Sequence, residues 1–366
     1  MGEVTQTARA GRLPWKRVGA AAVAYMGIVG SLATVYTSLT LHWLDGVSKT
    51  AWGLVAMVLG LAVVCLATIL EHHLVERSHR VAPAPKSMPA SIVDTLKAEF
   101  SRGNYSDVIR VGEALSRPFF EAGAFSVRLE IGCMVEDAAA RLSRKREQYG
   151  ALIDSIGWSL VELGRYTEAE RQIKHGLRIL EQQPEPDAFY EAKAHRHLGV
   201  IARREKRYDD ARAQYEIAAQ HAQAISSEHD ALAMTAGLQY ALASLAFHER
   251  RLEDAAPEID AAIGSFRTLS DEYRLNMALV LRGDIEFECG ETDDARDTYR
   301  HVLQNADRNK ETLQYVRACL GLAAARVADC EWDGVPELLD LLNGLDLHQY
   351  KAEHDRLASL RAKLPA

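Results

Sequence analysis

The sequence predicts an all-α protein in two parts: an N-terminal helical hairpin long enough to cross a membrane, then an α-solenoid of stacked helix pairs. Three observations predict it. Two long segments near the start carry no charged side chain. From residue 91 onward the apolar residues follow a helical period with no strand-like alternation. A short phrase also recurs along that second part at separations of 41, 42, 44 and 40 residues. At 366 residues the chain exceeds the roughly 250–300 residues of a single core, so an extended array is one way to accommodate it.

Residues 1–17 read as a polar tail carrying Arg9, Arg12, Lys16 and Arg17. Residues 18–75 hold two expected transmembrane helices, at about 18–44 and 50–70; neither contains Asp, Glu, Lys or Arg. About 20 apolar residues cross the hydrocarbon as a helix, which satisfies its own backbone polar groups there. The five residues "DGVSK" between them make a tight turn. Arg77, Arg80 and Lys86 follow the second segment and only Lys49 lies in the turn, so the positive-inside rule puts both termini in the cytoplasm. The expected location is therefore the plasma (inner) membrane of a bacterium, to which the Ala- and Arg-rich composition points. Trp15, Trp43 and Trp52 fall at the expected interfaces. Small residues four apart, Gly27 with Ser31 and Ala56 with Gly60, suit close packing in lipid, within one hairpin or between protomers of a homo-oligomer. Residues 76–90 contain Pro83, Pro85 and Pro89 and read as a Pro-rich spacer.

Residues 91–366 are the expected repeat domain. Residues 1–90 carry eight Lys or Arg against four Asp or Glu, and residues 91–366 carry 35 against 47. An acidic repeat domain without a concentrated basic face argues against nucleic acid as its ligand. The phrases are "GAFSVR" at 123, "GRYTEA" at 164, "KRYDDA" at 206, "RRLEDA" at 250, "GETDDA" at 290 and "EWDGV" at 331. Seven residues before four of them stands a small residue, Gly157, Gly199, Ala243 or Gly283, which lets two antiparallel helices touch. Gly164 and Gly290 suit a left-handed helix end. Ala169, Ala211, Ala255 and Ala295 open the second helices where they cross the first, and Leu177, Ala219 and Ile263 continue their apolar faces. Each pair leaves an apolar face that only the next pair can cover. Closing helices are expected at 91–105 and 348–363.

The stretches "IGWSLVELGRYTEA" and "LGVIARREKRYDDA" resemble the core pattern of the tetratricopeptide repeat, over roughly residues 106–343, with a period longer than that family's usual 34. The resemblance implies a superhelical cleft walled by the first helix of each pair and a protein or peptide partner. On that basis the tentative partner-binding face is Lys193, Arg196, Val200 and Arg203, with Tyr240, Ser244 and Phe247 from the next repeat. Basic residues beside aromatics can hold a peptide carboxylate or an acidic segment. The asparagines of the family's carboxylate clamp have no counterpart here.

No phosphate-cradling, zinc-hydrolase or nucleophile-elbow motif occurs. Asp209 with Asp210 and Asp293 with Asp294 open helices, where they complement the positive end. His195 and His197, two apart on a helix, cannot hold one metal from one face. The cysteines, Cys65, Cys133, Cys289, Cys319 and Cys330, lack paired spacing and read as free, small buried thiols, with Cys319 and Cys330 on one helix. No catalytic residue, cofactor or metal is expected, and the chain is expected not to be an enzyme. The function implied is a membrane-tethered scaffold whose array recruits a protein or peptide. The alternative is a two-helix effector in which the array senses a signal and the hairpins act on the bilayer.

Overall fold

The computed structural model describes residues 88–306, 311–343, 345 and 350–364. The chain divides into two units, Met1–Ala82 and Pro83–Ala366, and every described residue lies in the second. The tail, the two apolar segments, most of the spacer and Cys65 lie outside the described residues. Among the described residues no helix is long and apolar enough to cross a membrane.

Helix α1 runs Met88–Ser101, α2 Tyr105–Glu121 and α3 Phe125–Arg141. Helix α4 is continuous through Lys145–Gly150, a π-helical turn Ala151–Ile156 and Gly157–Glu162. There follow α5 Tyr166–Glu181, α6 Ala188–Arg204, α7 Tyr208–Ala222, α8 Glu228–His248, α9 Leu252–Thr268, α10 Glu272–Cys289 and α11 Thr292–Asn305. Helices α12 Thr312–Ala328, α13 Val335–Asp340 and α14 Lys351–Ala362 end the array. Helix α4 packs on α5, α6 on α7, α8 on α9, α10 on α11 and α12 on α13. The first closing helix starts inside the stretch read as spacer. Pro89 occupies its first turn, where a missing N–H costs nothing.

The recurring phrase is a turn with one geometry. Its first residue is left-handed at Gly123, Gly164, Lys206, Arg250 and Gly290, with φ between 62° and 85°. The residue after it donates back five positions, as in Arg165 N to Leu160 O at 2.9 Å and Arg207 N to Ala202 O at 2.8 Å. This pattern satisfies carbonyls left over at a helix end. It also occurs at Gly103, Ser143, Ser270 and Cys330, where the sequence pattern did not show it. Cys330 therefore sits in a turn and not on a helix with Cys319. Of the described cysteines only Cys319 is buried, while Cys133, Cys289 and Cys330 are exposed.

Ala169, Ala211, Ala255 and Ala295 are each fully buried. A Cβ on Gly199 would stand 2.3 Å from the Tyr215 ring, and one on Gly283 2.7 Å from the Tyr299 ring, so the small residues admit an aromatic from the second helix. Leu177 and Ile263 are buried as expected, whereas Ala219 is exposed. Its place is taken by Ala218, which stands seven residues from Ala211 and so keeps the helical face through Tyr215.

The array curls until its two ends meet. Phe125, 2% exposed, belongs to one apolar cluster with Leu313, Val316, Tyr350 and Leu357. The Tyr350 hydroxyl donates to Gly123 O at 2.9 Å, across 227 residues of sequence. Phe120 meets Tyr273 with ring centroids 5.1 Å apart, and Arg117 pairs with Asp271 at 3.2 Å. Replacing Tyr350 by Phe keeps the ring and removes that bond; a loss of about 1 kcal/mol in denaturant unfolding is expected. An unchanged midpoint would show that the bond does not hold the ends together.

Candidate functional site: a basic and aromatic central cavity

Closure turns the inner face into a cavity of about 440 Å³. Its wall is set by helical register. Counted from the small residue of each first helix, the positions three before and one after are Asp154 and Trp158 on α4, Arg196 and Val200 on α6, and Tyr240 and Ser244 on α8. All six line the cavity, together with Lys193 and Arg203. Phe247 does not: its ring packs against the apolar cluster of α8–α11, because a phenyl group gains more from burial there than from a place beside Arg203.

Asp154 sits in the π-helical turn of α4, a device that shifts the register of a helix and often marks a functional site. It receives Arg128 at 3.3 Å and Lys193 at 3.2 Å. Arg128, 3% exposed, also donates to Ser116 O at 3.1 Å and Asp154 O at 3.1 Å. Burial works against the Asp154 charge, but Lys193 and Arg128 outweigh it and hold its pKa well below the usual carboxylate range. Lys193 lies over the Phe189 ring at 4.8 Å. Burial, with Arg196 and Arg274 nearby, lowers its pKa despite Asp154.

Arg196 and Arg203 are held differently. Neither has a carboxylate ion-pair partner among the described residues. Arg196 Nη2 donates to His197 Nε2 at 3.0 Å, while His197 Nδ1 donates to Ile153 O at 3.1 Å. The guanidinium also lies 5.8 Å from the Trp158 ring. Arg203 Nη1 lies 3.3 Å from His248 Nε2, and His248 Nδ1 donates to Ser244 O at 2.7 Å. In each case an imidazole anchored on a carbonyl orients a cation without neutralising it. Arg196 Nε, Arg203 Nε and Trp158 Nε1 are buried without a hydrogen-bond partner, and the Tyr215 hydroxyl stands beside Arg203. Burial, reinforced by Arg274, pushes Arg196 down to about 10.

His197 is pushed well below 6.5 by burial and by Arg196, and His248 is lowered by burial and by Arg203. Below pH 6.5 the unfolded chain therefore binds protons that the fold refuses. Stability is complete above that pH and falls as the pH drops through it, by at most about 1.4 kcal/mol per unit for each group. Urea melts at pH 7 and 5.5 are expected to show the fall and the variant His197→Asn a smaller one. Equal slopes would show that His197 is not held neutral.

Among the described residues no group of three or more His, Cys, Asp or Glu is placed to hold a metal ion. His195 is directed away from His197: its Nδ1 lies 2.9 Å from Gln214 and its ring stacks on His221 at 5.6 Å.

Among curated proteins, the chain is similar to the transcription activator GutR of Bacillus subtilis (strain 168), 27% identical over 201 residues. That match covers 54% of this chain and 23% of GutR, so the chain spans less than a quarter of its relative's length. Among solved structures, a Rap protein complexed with competence and sporulation factor is 13% identical, with a TM-score of 0.50 over 70% of this chain and 80% of that one. The apo form of RapI is 10% identical, with a TM-score of 0.43 over 74% of this chain and 87% of that one. A model of the tetratricopeptide repeat family matches residues 155–228 and 240–310, which run from α4 to beyond α11. Over those residues the chain carries tetratricopeptide repeats, within an all-α solenoid of similar helix pairs.

Proposed function

We propose that the chain is a membrane-tethered scaffold whose repeat array captures an acidic segment of a partner protein in its central cavity. The observation that carries this reading is the pair Arg196 and Arg203, two half-buried cations, each beside a neutral imidazole and without a carboxylate partner among the described residues. A partly desolvated charge without an anionic partner is costly, so its retention favours a ligand that supplies one. The array works by binding and performs no reaction. The tether is supported by the uncharged segments 18–44 and 50–70, and an inner-membrane location with both termini cytoplasmic by their basic flanks. The small-residue spacings in those segments support pairing of hairpins between copies.

The test is capture of partners from the protein's own membranes by the full-length chain and by an Arg196→Met/Arg203→Met variant of matching circular dichroism. A partner held by wild type and lost by the variant is expected. A partner that stays bound to the variant would remove the cavity from the account. Alkaline carbonate extraction tests the tether: the protein should remain in the membrane pellet, and its release would contradict a two-span anchor.

A further inference from the structure

We infer that the captured segment is an acidic, proline-rich one in the polyproline II conformation, with its two carboxylates three residues apart. This inference rests on the partner-capture reading above. Arg196, Val200 and Arg203 stand on one face of α6, and the two arginines are seven residues apart. Seven residues of helix span about 10.5 Å. The guanidiniums are kept from converging by separate anchors, since Arg196 is fixed by His197 and lies against Trp158, while Arg203 is fixed at the end of α8 by His248. A ligand meeting both must therefore carry two anionic groups at a comparable distance on one side, with an apolar stretch over Val200.

Backbone geometry selects among peptides. In a β-strand, residues three apart point to opposite faces. A helix presents residues seven apart on one face, but with a diameter of about 10–12 Å it is too wide for a space of about 440 Å³. Polyproline II has three residues per turn and rises about 3.1 Å per residue, so residues three apart lie on one face about 9.3 Å apart. That distance fits the arginine pair.

The rest of the wall agrees. Among the described residues no Asn or Gln lines the cavity, and of its carboxylates Asp154, Glu162 and Asp271 are already paired with Lys193, Arg204 and Arg117, which leaves few acceptors for the N–H groups of an ordinary peptide backbone. Proline has no N–H to satisfy. Trp158, Phe189, Tyr240 and Tyr273 supply flat surfaces of the kind on which polyproline segments dock. Among the described residues that line the cavity, the unpartnered buried atoms are Arg196 Nε, Arg203 Nε and Trp158 Nε1, all donors, and a segment of carboxylates and prolyl carbonyls offers only acceptors.

The test is calorimetric titration of the full chain in detergent with acetylated and amidated peptides. Glu-Pro-Pro-Glu is expected to bind about tenfold more tightly than Glu-Pro-Glu or Glu-Pro-Pro-Pro-Glu, because one residue of shift turns the second carboxylate about 120° away from its guanidinium. Glu-Gly-Gly-Glu, with the same charges on an unconstrained backbone, is expected to be weaker than Glu-Pro-Pro-Glu. In Arg196→Met or Arg203→Met the preference for spacing should vanish, and removing one of the two glutamates should then change affinity less than in wild type. Binding that needs both arginines but ignores spacing would overturn the inference and leave the capture of an acidic segment standing. Equal affinity for the Pro and Gly peptides would overturn the polyproline conformation. No binding of any acidic peptide would overturn both readings.

Discussion

Replacing Gly199 by Leu is expected to destabilise the array by about 3 kcal/mol or more and to melt the α6–α7 pair before its neighbours. Even a Cβ there would stand 2.3 Å from Cε1 and 2.6 Å from Cδ1 of Tyr215, which is 2% exposed. Tyr215 cannot swing clear, because it lies in a cluster with Ile201, Ala211, Ala218 and Leu245. The double variant Gly199→Ala/Tyr215→Leu should recover part of the loss, since the smaller side chain vacates the space. Hydrogen exchange localises the effect. Protection that falls uniformly along the array would argue against a stack of nearly independent pairs.

Asp154→Asn is expected to cost about 1–2 kcal/mol, because it keeps the shape of the side chain and leaves Arg128 and Lys193 charged around a neutral amide that is one-third exposed. The penalty should be constant from pH 8 to pH 5, since the carboxylate is held ionised throughout that range. Substituting Glu168 or Glu170, whose ion pairs lie on the exposed side of α5, should change stability by no more than about 0.5 kcal/mol. Thermal melts separate these cases. A mild Asp154→Asn variant would show that water reaches the cluster and already screens it.

The repeat was legible because its spacing is written in small residues whose role is steric. Gly157, Gly199 and Ala211 stand where helices touch, and no larger side chain fits there. The cavity wall was half legible. Lys193, Arg196, Val200, Arg203, Tyr240 and Ser244 follow from the register of α6 and α8, and the same count on α4 reaches Asp154 and Trp158. Those two escaped notice because an isolated Asp or Trp carries no local signature, and because the π-helical turn is set by packing. Curling of the array was not legible. It depends on contacts such as Tyr350 with Gly123, which no local period records.

Arg196 and Arg203 are costly to the empty protein and useful only to the occupied one. Measuring the melting temperature of Arg196→Met/Arg203→Met without ligand, beside wild type, tests this most directly. Replacing these half-buried charges, which lack a carboxylate partner, by apolar groups of similar length should stabilise the empty fold, by about 0.5–1 kcal/mol, and raise its melting temperature. A variant that melts at or below wild type would mean that the fold already compensates these charges, and the cavity would lose its claim to be a binding site for an acidic partner.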